Sequence, residues 1–396
     1  MQEPKLAYTR IARSTCVWVA SGAFYGCVIP RLFALREIIM HASSPRFLLA
    51  MAGSLALSTA LSLAAFKPAR SATVAQPSVQ SITDAVNKAN AAVVGIRVTA
   101  VEGARSAENL GMRRAGSGVV IGPDNLVLTI GYLITEAQQI EIVTQDGKVL
   151  PATTVAYDLA SGFGLVRPLL PMRGVVPVQL GSISDLKAGD PLMAATGASG
   201  SGDRRGASMT QLVSTRAFSG TWEYHLDSAL FTSPPVSSGS GNHSGAPLFN
   251  YKGELMGIGS LLVMDASGEN RRQPGNMFVP VDLLKPILAE LQQSGSSRQS
   301  HRPWLGLTSS DRGGKVQIVR VSQDSPAAAA GLQPGEVVLA VDGIEVTTLE
   351  AFYKKLWAHT PPDEPVELTV KRGEEINTVV LRPQDRMLTL KKPDGI

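Results

Sequence analysis

The stretch NHSGAPL at residues 242–248 decides how the chain is interpreted. Its Ser-Gly-Ala-Pro sequence favours a tight turn, because glycine and proline supply the backbone angles that turns need. A serine hydroxyl is a poor nucleophile at neutral pH unless a neighbouring base takes its proton. Ser244 is therefore either a nucleophile that needs such a base, or a serine that is retained for the backbone of the turn.

Around this stretch the chain has the composition of a globular protein with a large core. Of its 396 residues, 44% are apolar and 18% are charged, which predicts two or three folded domains. The formal charge is only +4 and the basic residues are scattered, which argues against nucleic-acid binding. Both cysteines, Cys16 and Cys27, lie near the N-terminus. An internal disulfide framework and cysteine catalysis farther along are therefore excluded, while the redox compartment stays open.

The N-terminal region predicts export. Arg46 precedes residues 47–66, a run of 20 residues without a charge, as in an export signal. Met40 would be an ordinary start for such a signal, so residues 1–39 are interpreted as a mispredicted extension. The apolar run is also long enough to span a bilayer as a helix. Residues 40–75 are thus either a cleaved signal peptide or a retained membrane anchor.

Short strands dominate the chain from Val93 onward. Segments rich in Val, Ile and Leu are separated by Gly, Pro, Asp and Asn, a pattern typical of a β-barrel or sandwich. Residues 281–293 then have apolar residues at helical spacing, which predicts a closing helix. The predicted strands of this domain lie at 93–101, 118–121, 126–128, 139–143, 149–155, 164–166, 190–195, 208–214, 229–232 and 253–263.

A second, smaller β domain is predicted after a flexible linker at 293–302, which is small, polar and glycine-bearing. Ser325 and Pro326 open a short helix as N-cap and first residue, and Gly331 ends it. Residues 349–359 have the spacing of an amphipathic helix. The predicted strands lie at 304–307, 316–321, 337–341, 366–371 and 376–381.

Short motifs in a fixed order connect both domains to a known family. They occupy residues 116–121, 128–129, 189–190, 194–197, 244–248, 253–257, 304–306, 325–327, 330–332, 335–336 and 341–343. With these motifs the chain resembles the HtrA (Deg) family over roughly residues 80–385. The resemblance implies a mainly β fold. A trypsin-like double six-stranded β-barrel is followed by a small PDZ domain, a β-sandwich with two helices.

The resemblance also implies domain bounds, a compartment and partners. The trypsin-like domain is expected at 80–292 and the PDZ domain at 303–385, with a tail at 386–396. The expected compartment is the bacterial periplasm or cell envelope, with inner-membrane anchoring if the leader is retained. Expected partners are peptides or C-termini of envelope proteins, and the chain is expected to form a homotrimer or to assemble with an active homologue. No cofactor, metal or nucleic acid is expected.

Of the family's catalytic triad, only the nucleophile stands at its expected position. Ser244 matches the nucleophile, whereas Tyr132 stands at the histidine position and Gly162 at the aspartate position. In a working triad, histidine removes the serine proton and aspartate orients the histidine. A phenol with an ordinary pKa of about 10 is a proton donor at neutral pH, and glycine has no side chain. Loss of either partner should cost orders of magnitude in rate.

Substitutes for the missing partners are few. Asp158 lies four residues before Gly162, where the resemblance implies a non-catalytic aspartate. His243 is disfavoured as a base because chain neighbours project in different directions. Asn242 and His243 fall in the oxyanion-hole region. The segment 234–241 before them is longer and richer in Ser and Gly than the family's segment, so pre-positioned amides are not expected.

The second domain predicts peptide binding. A PDZ domain binds an extended peptide, usually a C-terminus, as an added strand. The backbone amides of Leu305, Gly306 and Leu307 would receive the carboxylate, and the helix from Leu349 would form the other wall of the groove. A PDZ fold that serves only as a packing or oligomer contact is the alternative.

Three functions stay open. The favoured hypothesis is a proteolytically inactive HtrA-like envelope protein that binds peptides or unfolded proteins through its PDZ groove and vestigial cleft. The alternative is an active or conditionally active serine endopeptidase of protein quality control, in which an unrecognised base serves Ser244. The third is a structural subunit that assembles with an active homologue.

Overall fold

The computed structural model describes residues 78–198, 206–236, 243–311 and 313–393. The predicted leader, its apolar run at 47–66 and the oxyanion-hole candidate Asn242 lie outside the described residues. Within the described ranges, no helix is both long enough and apolar enough to cross a membrane.

The first domain begins with a closed six-stranded barrel. Ser78 caps the preceding helix α1 (Val79–Ala91) by accepting the Ser81 amide. The strands are β1 (Val93–Ala100), β2 (Arg113–Val120), β3 (Val127–Ile130), β4 (Ala137–Val143), β5 (Val149–Tyr157) and β6 (Phe163–Pro168). They close in the order β1-β2-β3-β6-β5-β4. The short helix α2 (Ala107–Leu110) follows β1, and α3 (Gly131–Ile134) follows β3.

A second closed barrel completes this domain. Its strands are β7 (Pro191–Thr196), β8 (Gly206–Gly220), β9 (Tyr224–Ser233), β10 (Pro247–Phe249), β11 (Leu255–Val263) and β12 (Gly275–Pro280). They close in the order β10-β11-β12-β9-β8-β7. Branched and aromatic side chains form these strands because they pack well on a half-buried pleated surface. The predicted double six-stranded barrel is confirmed.

The hairpin of β8 and β9 is much longer than the predicted strands 208–214 and 229–232. β8 continues to Gly220 and β9 starts at Tyr224. Polar residues such as Arg216 and Ser219 interrupt the apolar pattern in this part of the chain, so periodicity does not reveal the extension. The added length carries the hairpin tip, which contains Glu223, to the second domain.

The single closing helix predicted at 281–293 is wrong in detail. The structure has a 3₁₀ turn at Val281–Leu283 and a separate helix α4 at Leu288–Ser294. Pro286 lies between them, and proline has no N–H to donate inside a helix. Apolar spacing alone therefore overestimated the continuous helix.

The second domain is the predicted small β unit with two helices. Its strands are β13 (Pro303–Trp304), β14 (Leu307–Ser310), β15 (Val316–Val321), β16 (Val337–Val341), β17 (Ile344–Glu345), β18 (Val366–Arg372), β19 (Glu375–Leu381) and β20 (Gln384–Asp385). The main sheet has the order β14-β15-β16-β18-β19, and β14 is at its edge. The helices α5 (Pro326–Ala329) and α6 (Leu349–Leu356) are capped by Ser325 and Thr348. Phe352 and Leu356 of α6 are fully buried in its core.

The segment at 293–302, predicted as a flexible linker, is held by hydrogen bonds to the first barrel. It contains the end of α4 and a 3₁₀ turn at Arg298–Ser300, and Ser297 and Ser300 are buried. Both hydroxyls donate to Asp158 Oδ1 at 2.5 Å. The other carboxylate oxygen of Asp158 accepts the Ser161 amide at 2.9 Å and its hydroxyl at 2.5 Å. A buried carboxylate of the first barrel thus fixes the connection between the domains. Farther on, the predicted tail also packs back, because the Lys391 amide donates to Glu136 at 2.9 Å.

We predict that Asp158→Ala lowers the free energy of unfolding by about 3 kcal/mol, because it leaves several buried donors without an acceptor. Asp185→Ala, which removes an exposed carboxylate of the same domain, should change it by less than about 0.5 kcal/mol. Urea denaturation of the two variants measures the difference. Equal effects would contradict the role given to Asp158.

Candidate active site and peptide-binding groove

Tyr132 and Ser244 come from different barrels and meet at their junction. Tyr132 lies on α3, directly after β3 of the first barrel. Ser244 lies in the turn before β10 of the second barrel. The Tyr132 hydroxyl is 2.6 Å from Ser244 Oγ and 2.8 Å from the carbonyl oxygen of Ser260 on β11. The structure therefore brings together two of the three residues at the predicted triad positions.

The turn that holds Ser244 is fixed by the backbone of the first barrel. The Ser117 amide donates to the Ser244 carbonyl oxygen at 2.9 Å, and Ser117 Oγ accepts the Gly197 amide at 3.0 Å. Gly245 has a φ of 75°, and a Cβ at this position would lie 2.0 Å from the Ser117 carbonyl oxygen. Only glycine fits there. Backbone packing is thus sufficient reason for a turn of small residues beside Ser244.

The contact between Tyr132 and Ser244 contains no base. A phenol carries one proton, whereas a carbonyl oxygen only accepts. The Tyr132 hydroxyl is the donor in both contacts, so its single proton is shared between Ser244 Oγ and the Ser260 carbonyl oxygen. Burial raises the pKa of Tyr132 to about 12, against a smaller opposing effect of the Ser244 hydrogen bond. At neutral pH the phenol stays protonated and does not remove the serine proton.

Gly162 lies beside α3, but the space for a side chain there is occupied. The Gly131 amide, at the start of α3, donates to the Gly162 carbonyl oxygen at 2.7 Å. Gly162 has a φ of 83°, and a Cβ on it would lie 2.8 Å from the Tyr224 hydroxyl oxygen. Tyr224 is buried, and its hydroxyl donates to the Ser161 carbonyl oxygen at 2.6 Å. A tyrosine of the second barrel therefore fills the position from which an aspartate side chain would start.

The other sequence candidates have contacts that belong to the fold. Asp158 binds the serines that order the connection between the domains. The His243 carbonyl oxygen accepts the Ala246 amide at 3.1 Å within the turn. Neither contact gives Ser244 a base.

In the described ranges, one group of side chains has the spacing of metal ligands: His225, Asp227 and Glu350. His225 Nε2 lies 3.1 Å from Asp227 Oδ1 and 3.9 Å from Glu350 Oε1. Lys354 Nζ already lies 2.7 Å from the Asp227 carboxylate and 2.8 Å from that of Glu350. The ammonium group supplies the positive charge that these carboxylates need. The group is therefore an ion-pair network between β9 and α6.

The backbone amides of Leu305, Gly306 and Leu307 were predicted to receive the carboxylate of a peptide. In the structure they donate instead to the side-chain carboxylate of Glu223. Glu223 Oε1 accepts the Gly306 and Leu307 amides at 2.8 Å each, and Oε2 accepts the Leu305 amide at 3.1 Å. Glu223 lies at the tip of the β8–β9 hairpin and is only 2% exposed. Leu349, the residue predicted for the opposite wall, starts α6 and is buried. No feature of the sequence had marked Glu223, because its contacts are formed across the fold.

Comparison with protein families finds two domains in this order. A trypsin-like peptidase domain matches residues 116–258, and a PDZ domain matches residues 303–382. The chain is therefore a trypsin-like peptidase-fold protein with a C-terminal PDZ domain.

Relatives of this chain have been named in several bacteria. Serine endoprotease DegS of Haemophilus influenzae is 27% identical over 74% of this chain and 84% of its own length. A protein of Halomonas elongata named as a DegP-like periplasmic serine endoprotease is 30% identical over 68% of this chain and 56% of its own length. A Synechocystis sp. protein named as serine protease HhoB is 27% identical over 68% of this chain and 66% of its own length. The chain thus spans between about half and two thirds of the length of several relatives.

Among solved structures, the serine endoprotease from Yersinia pestis is 22% identical, with 78% of this chain and 99% of that chain covered and a TM-score of 0.47. The family matches and the named relatives together identify an HtrA/Deg-type trypsin-like serine protease domain with a C-terminal PDZ domain.

We predict that Gly162→Ala lowers the free energy of unfolding by about 2 kcal/mol more than Gly174→Ala. Both glycines have left-handed backbone angles, but a Cβ at Gly174 meets nothing within 4 Å, so Gly174→Ala measures backbone strain alone. The excess should shrink in a Tyr224→Phe background, because the overlapping hydroxyl is gone. Urea unfolding of the six resulting proteins tests this, and an excess that persists without the hydroxyl would show that Tyr224 does not fill the site.

We also predict that the pH dependence of covalent labelling of Ser244 by a fluorophosphonate probe between pH 7 and 10 is the same in the wild type and in Tyr132→Phe. The pKa of Tyr132 is raised to about 12, so even at pH 10 only about one phenol in a hundred is a phenolate, and the rest stay protonated and do not accept the serine proton. The measurement is the labelling rate of the full chain, corrected with Ser244→Ala. An alkaline rise that is lost in Tyr132→Phe but kept in Tyr251→Phe, a control at an exposed tyrosine, would contradict this prediction.

Proposed function

We propose that this chain is a proteolytically inactive HtrA-like protein that binds peptides or unfolded proteins in the bacterial envelope. The observation that carries the proposal is the contact between Tyr132 and Ser244. At 2.6 Å the serine hydroxyl faces a half-buried phenol whose pKa is raised, instead of an imidazole that accepts a proton near neutral pH. Without proton transfer to a base, the serine does not become an effective nucleophile.

The surroundings of Gly162 support the same proposal. An orienting aspartate at this position would have to displace the Tyr224 hydroxyl and adopt a left-handed backbone angle. Asp158, the nearest acidic candidate in the sequence, already accepts hydrogen bonds from three serine hydroxyls. The site is thus filled and hydrogen-bonded for packing, and it is not an intact triad with one member replaced.

Peptide binding is proposed from the second domain. The PDZ domain offers three converging amides at Leu305, Gly306 and Leu307, a geometry that holds a carboxylate. The proposed ligands are peptides or C-termini of envelope proteins, with the vestigial cleft as a second contact for unfolded chains. The names of relatives place those proteins in the periplasm, and the uncharged run at 47–66 agrees with export of this chain. A homotrimer, or assembly with an active homologue, stays a prediction from the resemblance.

To test the proposal, the full chain and its Ser244→Ala variant are incubated with reduced, unfolded casein, and peptide products are quantified by mass spectrometry. We expect no cleavage above the Ser244→Ala background, because Tyr132, the described side chain bound to Ser244 Oγ, stays protonated at neutral pH and does not act as a base. Cleavage that requires Ser244 would establish the alternative, an active serine endopeptidase with an unrecognised base.

The double variant Tyr132→His with Gly162→Asp shows whether the remaining site is competent. We expect it to stay inactive, because a Cβ at residue 162 would lie 2.8 Å from the Tyr224 hydroxyl oxygen, so the new side chain does not fit without displacing Tyr224. Substantial Ser244-dependent activity in this variant would show that the rest of the catalytic machinery is intact and that only two side chains were lost.

A further inference from the structure

The tip of the β8–β9 hairpin occupies the peptide groove of the second domain as a peptide ligand would. Strand β14 is at the edge of its sheet, and its Ser309 amide donates to the Thr221 carbonyl oxygen at 2.8 Å. An added strand makes main-chain bonds of this kind with an exposed edge. Two residues later, the Glu223 carboxylate accepts the Leu305, Gly306 and Leu307 amides. A main-chain bond to the edge and a carboxylate at the converging amides are the two elements of C-terminal peptide recognition.

The other groove wall also holds the hairpin. The Tyr353 hydroxyl on α6 donates to the Gly220 carbonyl oxygen at 2.8 Å and accepts the Glu223 amide at 3.2 Å. On the far side of the tip, Arg386 donates to the Trp222 carbonyl oxygen at 3.2 Å. Every carbonyl oxygen from Gly220 to Trp222 is therefore bound by the second domain or by the tail that follows it. Such satisfaction of the tip's main-chain oxygens is what a built interface provides and a chance contact between two surfaces does not.

The hairpin tip is stiffened before it reaches the groove. The Trp222 and Tyr224 rings stack with an interplanar angle of 11°, and Phe218 lies against both rings at centroid distances of 6.2 Å and 6.4 Å. A rigid ligand loses less conformational entropy on binding than a disordered one. The tip therefore presents Glu223 in a pre-organised position.

The internal carboxylate is held by opposing effects. Burial raises the pKa of Glu223, whereas Arg386 and the amides of Leu307, Leu305 and Gly306 lower it. A buried charge keeps most of its desolvation cost even when it is well hydrogen-bonded. Lys354 forms exposed ion pairs with Asp227 and Glu350. These pairs add little to the stability of the docked hairpin, since solvent screens them. The docked state is thus specific without being strongly stabilised.

We propose that Glu223 is an internal ligand of the PDZ groove, and that a free C-terminus binds only when the hairpin tip has withdrawn from it. This inference rests on the proposed peptide-binding function and adds its regulation. The groove selects ligands that replace both the carboxylate and the main-chain bond to Ser309. A peptide without a free α-carboxylate leaves the three amides to Glu223 and does not compete.

The test uses the full chain and two variants. In Glu223→Gln, the side-chain amide would place an N–H group against the N–H of Leu305 or of Gly306 and Leu307, which weakens docking without changing the shape of the side chain. Glu269→Gln is the matched control, because Glu269 is an exposed acid in another loop of the same domain. Fluorescent peptide libraries, one with free C-termini and one amidated, are titrated by anisotropy. Hydrogen exchange is followed at residues 305–307, and at β18 as a reference for the global fold.

We expect Glu223→Gln to bind the free-carboxylate library at least about tenfold more tightly than the wild type and Glu269→Gln, and to ignore the amidated library. Exchange should accelerate at 305–307 but not at β18. Equal affinity in all three proteins would overturn the internal ligand and leave peptide binding intact. If none of the three proteins binds peptide, the peptide-binding function is refuted. In that case, faster exchange at 305–307 in Glu223→Gln would still support the internal ligand, whereas unchanged exchange would refute the internal ligand as well.

Discussion

A single buried carboxylate, that of Asp158, sets the relative position of the main parts of the molecule. It lies in the turn between β5 and β6, and it binds Ser161 on one side and the serines of the interdomain connection on the other. The same turn presents Gly162 to α3 and the Ser161 carbonyl oxygen to Tyr224. Since Tyr224 follows Glu223 directly, the anchored turn also fixes where the hairpin tip stands. A charge buried in this way is stable only with all of its partners in place, so the elements around it are interdependent.

Two phenols help to hold the junction of the two barrels through packing and hydrogen bonds. Tyr132 fills the space in front of Ser244, and Tyr224 fills the space beside Gly162. Burial raises the pKa of both, which keeps them neutral in the working range of a protein. Neutral phenols satisfy the buried carbonyl oxygens of Ser260 and Ser161 without introducing a charge. The two phenols thereby keep the junction of the barrels densely packed and hydrogen-bonded.

Local patterns were enough to predict a mainly β fold. Short Val-, Ile- and Leu-rich segments separated by turn residues indicated a β-barrel or sandwich, and the Ser325 cap appears as expected from its residue type. The contacts that the sequence did not predict join residues that are far apart along the chain. Tyr224 meets Ser161 across 63 residues of chain, and Glu223 meets Leu305 across 82. Polar residues on β8 masked the hairpin that brings these residues together. The composition of 293–302 did not reveal its contact with Asp158, because this carboxylate lies more than a hundred residues earlier in the chain.

The reach of the β8–β9 hairpin has a consequence for the kind of partner that this protein selects. Because the hairpin is part of the same chain, an incoming peptide competes with a tethered group whose effective concentration is millimolar or higher. A dilute, monovalent C-terminus therefore competes poorly with the tethered tip for the groove. Ends that are presented together, as on an aggregate or an oligomeric partner, gain avidity that a single end lacks. Binding would therefore depend more on how many C-termini are presented together than on the sequence of any one of them.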